Sequence, residues 1–336
     1  MAFEVTLKPS GHSFICESNE SVLDAALRSG INLSYHCATG SCGECRAQVL
    51  EGEVLAHRHF DYVIPEAEKI NNTVLLCSVA PNSNLVVHAN EASQAKDIPL
   101  QEVSVKTARI EQPSANNIVL HLRTPRSRTL RFLAGQYIQV RIPGVEPSYQ
   151  YIASCPCNGM IIQVHVARSE HPFNQHVFNS LRIGDTVEIS GPSGDFTLHE
   201  ESLRPIVMVA QDTGFAPIKS LIEHAIALDL PQSMYLFWLV EQGQDHYHSN
   251  YCRSWEDALD CFIYRPLYLD RDEKGENDYK NAFNFVHERS PVDSEIDLYI
   301  VGPQVMLDEF SKLFISKGTP QSHIHAAHSL GVDEAW

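Results

Sequence analysis

Four cysteines carry the clearest chemistry in this 336-residue chain. Cys37, Cys42 and Cys45 form a C-x4-C-x2-C loop, and Cys77 follows in the apolar run Val74-Leu75-Leu76-Cys77. Thiolates at this spacing predict a [2Fe–2S] cluster, because four of them must reach two irons largely from one tight loop. Gly40 and Gly43 let backbone N–H groups turn towards the sulfurs, contacts that raise a cluster's reduction potential. A structural zinc site or four unrelated buried cysteines is the rival, but zinc sites usually pair two C-x2-C units and only one is present. Cys16, Cys155, Cys157, Cys252 and Cys261 read as buried or incidental thiols, with a redox role as the alternative for Cys155-x-Cys157. His246-x-His248, and His323-x-His325 with His328, lack an acidic or thiol ligand set and read as packed or exposed histidines. No Ser–His–Asp set, P-loop or basic aromatic patch stands out, and no catalytic residue is assigned.

The elements that must hold the cysteine loop flank it on both sides. Residues 3–8 alternate apolar with polar, Gly11 supplies a turn, and residues 13–16 return as a second strand. Ser21 is a good helix N-cap, Leu23, Ala26 and Leu27 recur at helical spacing, and Gly30 suits a left-handed C-terminal position. Strand-like residues 47–50 follow the loop. The small, polar stretch 90–100, which contains Pro99, reads as a linker. Beyond it, strand-like runs at 118–122, 137–142, 159–166 and 186–190 are separated by turns, which predicts a small antiparallel barrel. After Arg204-Pro205 the pattern changes to the apolar run 206–210, a loop, and then Ile218, Leu221, Ile222, Ala225 and Ile226 on one helical face. With further strands at 234–240 and 298–301, this predicts a parallel α/β unit. The charged stretch 270–279 reads as a solvated excursion.

Hydrophobic residues make up 43% of the chain and charged residues 20%, which excludes a disordered or collagen-like polymer. The net charge of −17 disfavours nucleic acid and anionic membranes as partners. Charge is uneven: residues 1–92 carry −6, residues 93–203 carry 0 and residues 204–336 carry −11. Apolar runs fall far short of the ~20 residues that span a bilayer, so no membrane insertion is expected. The N-terminus lacks a basic-then-apolar signal, which predicts a cytoplasmic protein.

The order of parts resembles the NAD(P)H-dependent reductases in which a plant-type ferredoxin precedes a ferredoxin–NADP reductase-like module. Reductase components of toluene, naphthalene and methane oxygenases and CDP-6-deoxy-glucoseen reductase share this layout. The resemblance is carried by the cysteine loop, Phe132-Leu133-Ala134-Gly135-Gln136-Tyr137, Gly191-Pro192-Ser193-Gly194-Asp195-Phe196, Thr213-Gly214-Phe215-Ala216-Pro217 and Tyr299-Ile300-Val301-Gly302-Pro303 with Met306. It implies an α+β and α/β multidomain chain: a β-grasp [2Fe–2S] ferredoxin domain over 1–92, a linker over 93–101, an FAD-type β-barrel over 102–203 and an NAD(P)-binding-like α/β domain over 204–336. It also implies hydride transfer from nicotinamide to FAD, followed by single electrons through the cluster to a partner. Tyr149, Gln150, Tyr151 and Asn174 fall at the flavin positions, and Thr213, Gly214, Gly302 and Pro303 at the NAD(P) positions. Tyr149, Tyr151 and Trp336 are candidates to stack a flavin, with ordinary barrel packing or a loose tail as the alternative.

Both cofactor sites depart from that pattern. Ser148, or Pro147 after a one-residue shift, stands where the family's Arg bridges the FAD pyrophosphate, removing a bidentate, charge-assisted contact. His171-Pro172-Phe173-Asn174 replaces G-x-x-S at the same pyrophosphate. Gln211-Asp212-Thr213-Gly214 replaces G-G-T-G, setting a carboxylate where phosphate should sit. Trp238-Leu239 replaces W-G, Val301-Gly302 replaces C-G, and Asn284-Phe285-Val286-His287 lacks the Gly before F-V-H. The expectation is therefore an electron-transfer protein passing single electrons through a [2Fe–2S] cluster to or from a partner metalloenzyme such as an oxygenase. FAD and NAD(P)H are then weakly held, with the reductase-like half serving as a docking or assembly scaffold. A complete NAD(P)H:acceptor oxidoreductase stays open beside it, as does a redox-sensing or structural subunit.

Overall fold

The structure is a computed structural model and describes residues 1–92, 94–125, 128–271 and 277–330. The hairpin forms as expected, from β1 (Ala2–Lys8) and β2 (Ser13–Glu17). Ser21 Oγ accepts from the N–H of Asp24 and starts helix α1 (Val22–Arg28), and Gly30 takes φ +79° just past its end. Five strands follow: β3 (Arg46–Glu51), β4 (Val54–Ala56), β5 (Thr73–Leu75), β6 (Val79–Pro81) and β7 (Leu85–His88), with the short helix α2 (Glu66–Ile70) between β4 and β5. The first sheet runs β2-β1-β7-β3-β5, its β1–β7 pair parallel and the others antiparallel, while β4 and β6 form a separate ribbon. Val5, Leu7, Leu23, Ala26 and Val87 lock α1 onto this sheet in one buried core.

The described part of the expected linker is pinned to the barrel. A 3-10 turn (Ala95–Asp97) lies within it, and Ala92 and Ile98 bury against Leu133. The barrel comprises β8 (Gln101–Ser114), β9 (Asn117–Arg123), β10 (Tyr137–Arg141), β11 (Ser148–Tyr151), β12 (Ile161–Ala167) and β13 (Thr186–Ser193), with helix α3 (Pro172–Asn179) following β12. Its order is β11-β10-β13-β8-β9-β12, antiparallel throughout, and a bridge between Ile152 and Val164 closes it. Alternation explains the closure: Ile162, Val164 and Val166 fill the interior, while Gln163 and His165 face outward.

The third unit is a parallel sheet ordered β16-β15-β14-β17-β18. Its strands are β14 (Ile206–Gln211), β15 (Met234–Val240), β16 (Phe262–Tyr268), β17 (Asp297–Gly302) and β18 (Ile324–His328). Helices α4 (Phe215–Ala227), α5 (Ser249–Ala258), α6 (Tyr279–His287) and α7 (Gln304–Lys317) cover it. β14 and β15 are almost wholly buried, as two-sided coverage of a parallel sheet requires. Within the charged stretch, residues 272–276 lie outside the described residues. Asp270 is exposed, but the solvated reading fails at Tyr279, which is buried and opens α6. Among the described residues no helix is long and apolar enough to cross a membrane.

Candidate iron–sulfur centre and nucleotide sites

The cysteine loop is held from both ends. Leu76 donates its N–H to Cys45 O and accepts at its own carbonyl from Leu23 N–H, so α1, the loop's exit and the turn between β5 and β6 that bears Cys77 are tied together. Cys45 and Cys77 thereby meet with their sulfurs 3.3 Å apart. Around the loop, Thr39 and Ser41 N–H groups point at Cys37 Sγ, and Glu44 N–H at Cys42 Sγ, each at 3.4 Å. That inward turn needs left-handed backbone, with φ +51° at Ala38, +80° at Gly40 and +79° at Gly43. The glycines are also sterically required. A Cβ on Gly40 would lie 2.5 Å from Phe60 Cβ, and one on Gly43 would lie 2.3 Å from the Tyr62 ring. Phe60 and Tyr62 roof the loop, a packing role that their distance in sequence concealed.

Cys37, Cys45 and Cys77 are buried, and Cys42 is partly exposed at the rim. Burial opposes ionisation of Cys37, but hydrogen bonds from Ser41 and Thr39 outweigh it and bring the thiol down to about 5. The Cys45 thiol donates to Cys77, which lowers Cys77 to about 6 and holds Cys45 up. A [2Fe–2S] cluster spreads four thiolates over two irons, and buried sulfurs ringed by N–H donors fit it.

The flavin-position residues lie on two elements. Tyr149, Gln150 and Tyr151 sit on β11 and Asn174 on α3. Tyr149 is 41% exposed, and its hydroxyl accepts from Gln139. Tyr151 is buried, its hydroxyl donating to His328 O, so it ties the barrel to the end of β18. Tyr137 meets both tyrosines edge-on at 5.8 and 5.9 Å. Gln150 donates to Ser148 Oγ, and both are buried where a guanidinium would be needed to clamp phosphate. Asn174 turns inward to Ala167 O and Ser169 Oγ. His171 caps α3, accepting the N–H of Phe173 on Nδ1. These residues do not reproduce the pyrophosphate contacts of the resembled family. Trp336 lies outside the described residues.

The nicotinamide positions do come together. β14 and β17 are neighbours in the sheet, and a Cβ on Gly214 would lie 2.7 Å from Val301 O. Thr213, Gly214, Gly302 and Pro303 thus sit at the carboxyl ends of two strands whose connections run in opposite directions, the usual ligand position in open α/β sheets. The loop itself is occupied by Asp212 in left-handed backbone, φ +49°. Its carboxylate accepts from Gln211 Nε2 and Glu241 N–H, and its carbonyl from Trp238 Nε1. Burial pushes the Asp212 carboxyl up to about 6, against those hydrogen bonds. A partly buried acid where phosphate should enter is a poor fit for a nucleotide.

The histidines behave as packing groups. His246 donates to Trp238 O, and His325 stacks on Tyr299 and His199. Cys16 and Cys252 are buried thiols and Cys261 is partly so. Cys155 and Cys157 correct the reading of incidental thiols, since they are joined as a disulfide. One residue between two cysteines on a tight turn brings their sulfurs within bonding reach.

Three family models match the chain in order: "2Fe-2S iron-sulfur cluster binding domain" over residues 5–82, "Oxidoreductase FAD-binding domain" over 104–198 and "Oxidoreductase NAD-binding domain" over 208–312. The CDP-6-deoxy-L-threo-D-glycero-4-hexulose-3-dehydrase reductase of Yersinia pseudotuberculosis is 30% identical over 96% of this chain and 97% of its own length. The phenol hydroxylase P5 protein of Acinetobacter pittii is 26% identical, over 98% and 95%. The crystal structure of the Amycolatopsis cytochrome P450 reductase GcoB is similar in fold, with a TM-score of 0.61 and 24% identity over 98% of this chain and 99% of that one. Similarity of this extent, with all three domains in the same order, places the chain in the ferredoxin reductase-like family of iron–sulfur electron-transfer proteins, built from a [2Fe–2S] domain, an FAD-binding domain and an NAD-binding domain.

Proposed function

We propose that Cys37, Cys42, Cys45 and Cys77 hold one [2Fe–2S] cluster through which single electrons pass to a partner metalloenzyme such as an oxygenase or a sugar dehydrase. The observation that carries this reading is the pairing of the buried Cys45 and Cys77 sulfurs beside a loop whose backbone N–H groups aim at the sulfurs of Cys37 and Cys42. Those amides and the roof of Phe60 and Tyr62 stabilise charge on the sulfurs and shield them from water. The cysteine rim at Cys42 and the exposed Glu44 leave an edge for a partner. Working boundaries are 1–92, 93–101, 102–203 and 204–336, with the cytoplasm as the compartment.

FAD, when bound in such a domain, divides a hydride into single electrons. In this chain Tyr149, Gln150, Tyr151 and Asn174 would border it, and Thr213, Gly214, Gly302 and Pro303 would border a nicotinamide. His171 and Asp212 favour weak retention of both, with the reductase half acting chiefly as a scaffold. The second reading, a complete NAD(P)H:acceptor oxidoreductase, is favoured by the three domain matches in order. The test is to measure iron, acid-labile sulfide and released flavin per chain, and then add NADH anaerobically. Iron and sulfide without stoichiometric flavin, and no bleaching by NADH, support the scaffold reading. Stoichiometric FAD with rapid bleaching supports the second, and absence of iron and sulfide after reconstitution overturns both.

A further inference from the structure

The Cys155–Cys157 disulfide spans a single residue, Pro156, with its Cα atoms 5.2 Å apart. The remaining cysteines are free thiols, and four of them must ionise if a cluster is to be held. A disulfide closing so short a loop constrains the unfolded chain little, so it acts as a local clamp more than a global staple.

Its location gives that clamp leverage. The 3-10 turn Pro156–Asn158 packs against α1 of the cysteine-loop domain on one side and α4 of the parallel-sheet domain on the other. The ends of those helices also approach each other, because a Cβ on Gly30, just past α1, would come 3.0 Å from Cδ2 of Leu228, which caps α4. Cys155 N–H donates to Glu223 Oε2, while Glu223 Oε1 receives Lys219 Nζ at 2.6 Å. Lys219, itself buried, donates also to Ala153 O, and Ser220 Oγ donates to Ser154 O. At the other end of the segment, Gly159 lies under the Tyr35 hydroxyl, two residues before Cys37. Residues 153–159 therefore seat both neighbouring domains on the barrel.

We propose that Cys155–Cys157 is a reversible thiol–disulfide switch that sets how firmly the cysteine-loop domain and α4 seat against the barrel. Cys157 is partly exposed and Cys155 buried, so an external dithiol attacks Cys157 Sγ. The Sγ–Sγ bond breaks, its electron pair leaves on Cys155, and that sulfur takes a proton. The second thiol of the reductant then displaces Cys157, which takes a proton as the reductant departs as its own disulfide. Two electrons and two protons enter overall, and the reductant's disulfide form reverses the exchange. The switch does not depend on which donor feeds the cluster.

The test equilibrates the cluster-loaded protein in graded ratios of reduced to oxidised dithiothreitol. Samples are acid-quenched, alkylated with N-ethylmaleimide and read by peptide mass, with amide hydrogen exchange followed in parallel. Alkylation of Cys155 and Cys157 should rise together with the reduced fraction, and exchange over 153–159 and α1 should accelerate several-fold. The Cys155→Ala/Cys157→Ala variant should exchange fast at every ratio. Should it fail to fold, Cys157→Ser replaces it with the same expectation. Alkylation independent of the ratio, or exchange unchanged when both thiols are free, overturns the proposal.

Discussion

The N–H of Phe173 donates to Nδ1 of His171 across 3.2 Å, so α3 closes its own N-terminus with an imidazole. A helix start otherwise offers its N–H groups and positive dipole end to an anion. His171→Gly should reopen it at a cost of a few tenths of a kcal/mol, since Gly is a tolerated N-cap. Flavin fluorescence titration should show FAD affinity rising ~5-fold, about the worth of one hydrogen bond. Unchanged affinity would mean that the missing arginine, not the cap, sets the limit.

Gly43 offers a sharper structural test. Its φ of +79° opposes any side chain, and so does the Tyr62 ring, which would stand 2.3 Å from a Cβ placed there. Gly43→Ala should destabilise the loop by about 2 kcal/mol or more. Thermal bleaching of the visible absorbance should then begin several degrees lower than in the parent.

Asp212 makes a pH-dependent prediction. Its folded pKa of about 6 lies above the ordinary value of 3.8, so folding favours the neutral acid. That contribution is fully present below about pH 4 and is lost as pH rises through about 6. Asp212→Asn keeps a side chain that tolerates left-handed backbone while removing the charge. Its melting temperature should exceed the parent's at pH 7.5 by a few degrees, with the advantage vanishing near pH 4. Calorimetry at pH 7.5 should also show tighter NAD(P)H binding.

Local signals made much of the chain legible. Alternation in residues 3–8, the Ser21 cap and the cysteine spacing are of this kind, and β1, α1 and the cysteine cage follow them. The runs at 118–122, 137–142, 159–166 and 186–190 became β9, β10, β12 and β13, and the apolar runs at 206–210, 234–240 and 298–301 became β14, β15 and β17, whereas β8, β11, β16 and β18 carried no run that stood out in sequence. Phe60 and Tyr62 were not legible as a roof, since their contacts with Gly40 and Gly43 come only from tertiary folding. Nor was the Tyr151–His328 tie, which joins residues on separate domains. Cys155-x-Cys157 left thiol and redox roles open, because bonding depends on the turn at Pro156.

Glu44 is exposed beside Cys42, in a domain of net charge −6. Glu44→Lys should slow electron transfer to a partner with a neutral-to-basic docking patch, chiefly through the association rate at low salt. The cluster spectrum should hardly change. Stopped-flow rates independent of this substitution and of ionic strength would move docking to the reductase half.

If the four cysteines hold a one-electron [2Fe–2S] centre, the most direct test is electron paramagnetic resonance of the dithionite-reduced protein, with iron and sulfide quantified, beside Cys42→Ser. One reducible cluster per chain is expected in the parent, and a signal strongly altered or lost in the variant. A parent that binds zinc and stays silent, or a signal identical in Cys42→Ser, would contradict the assignment.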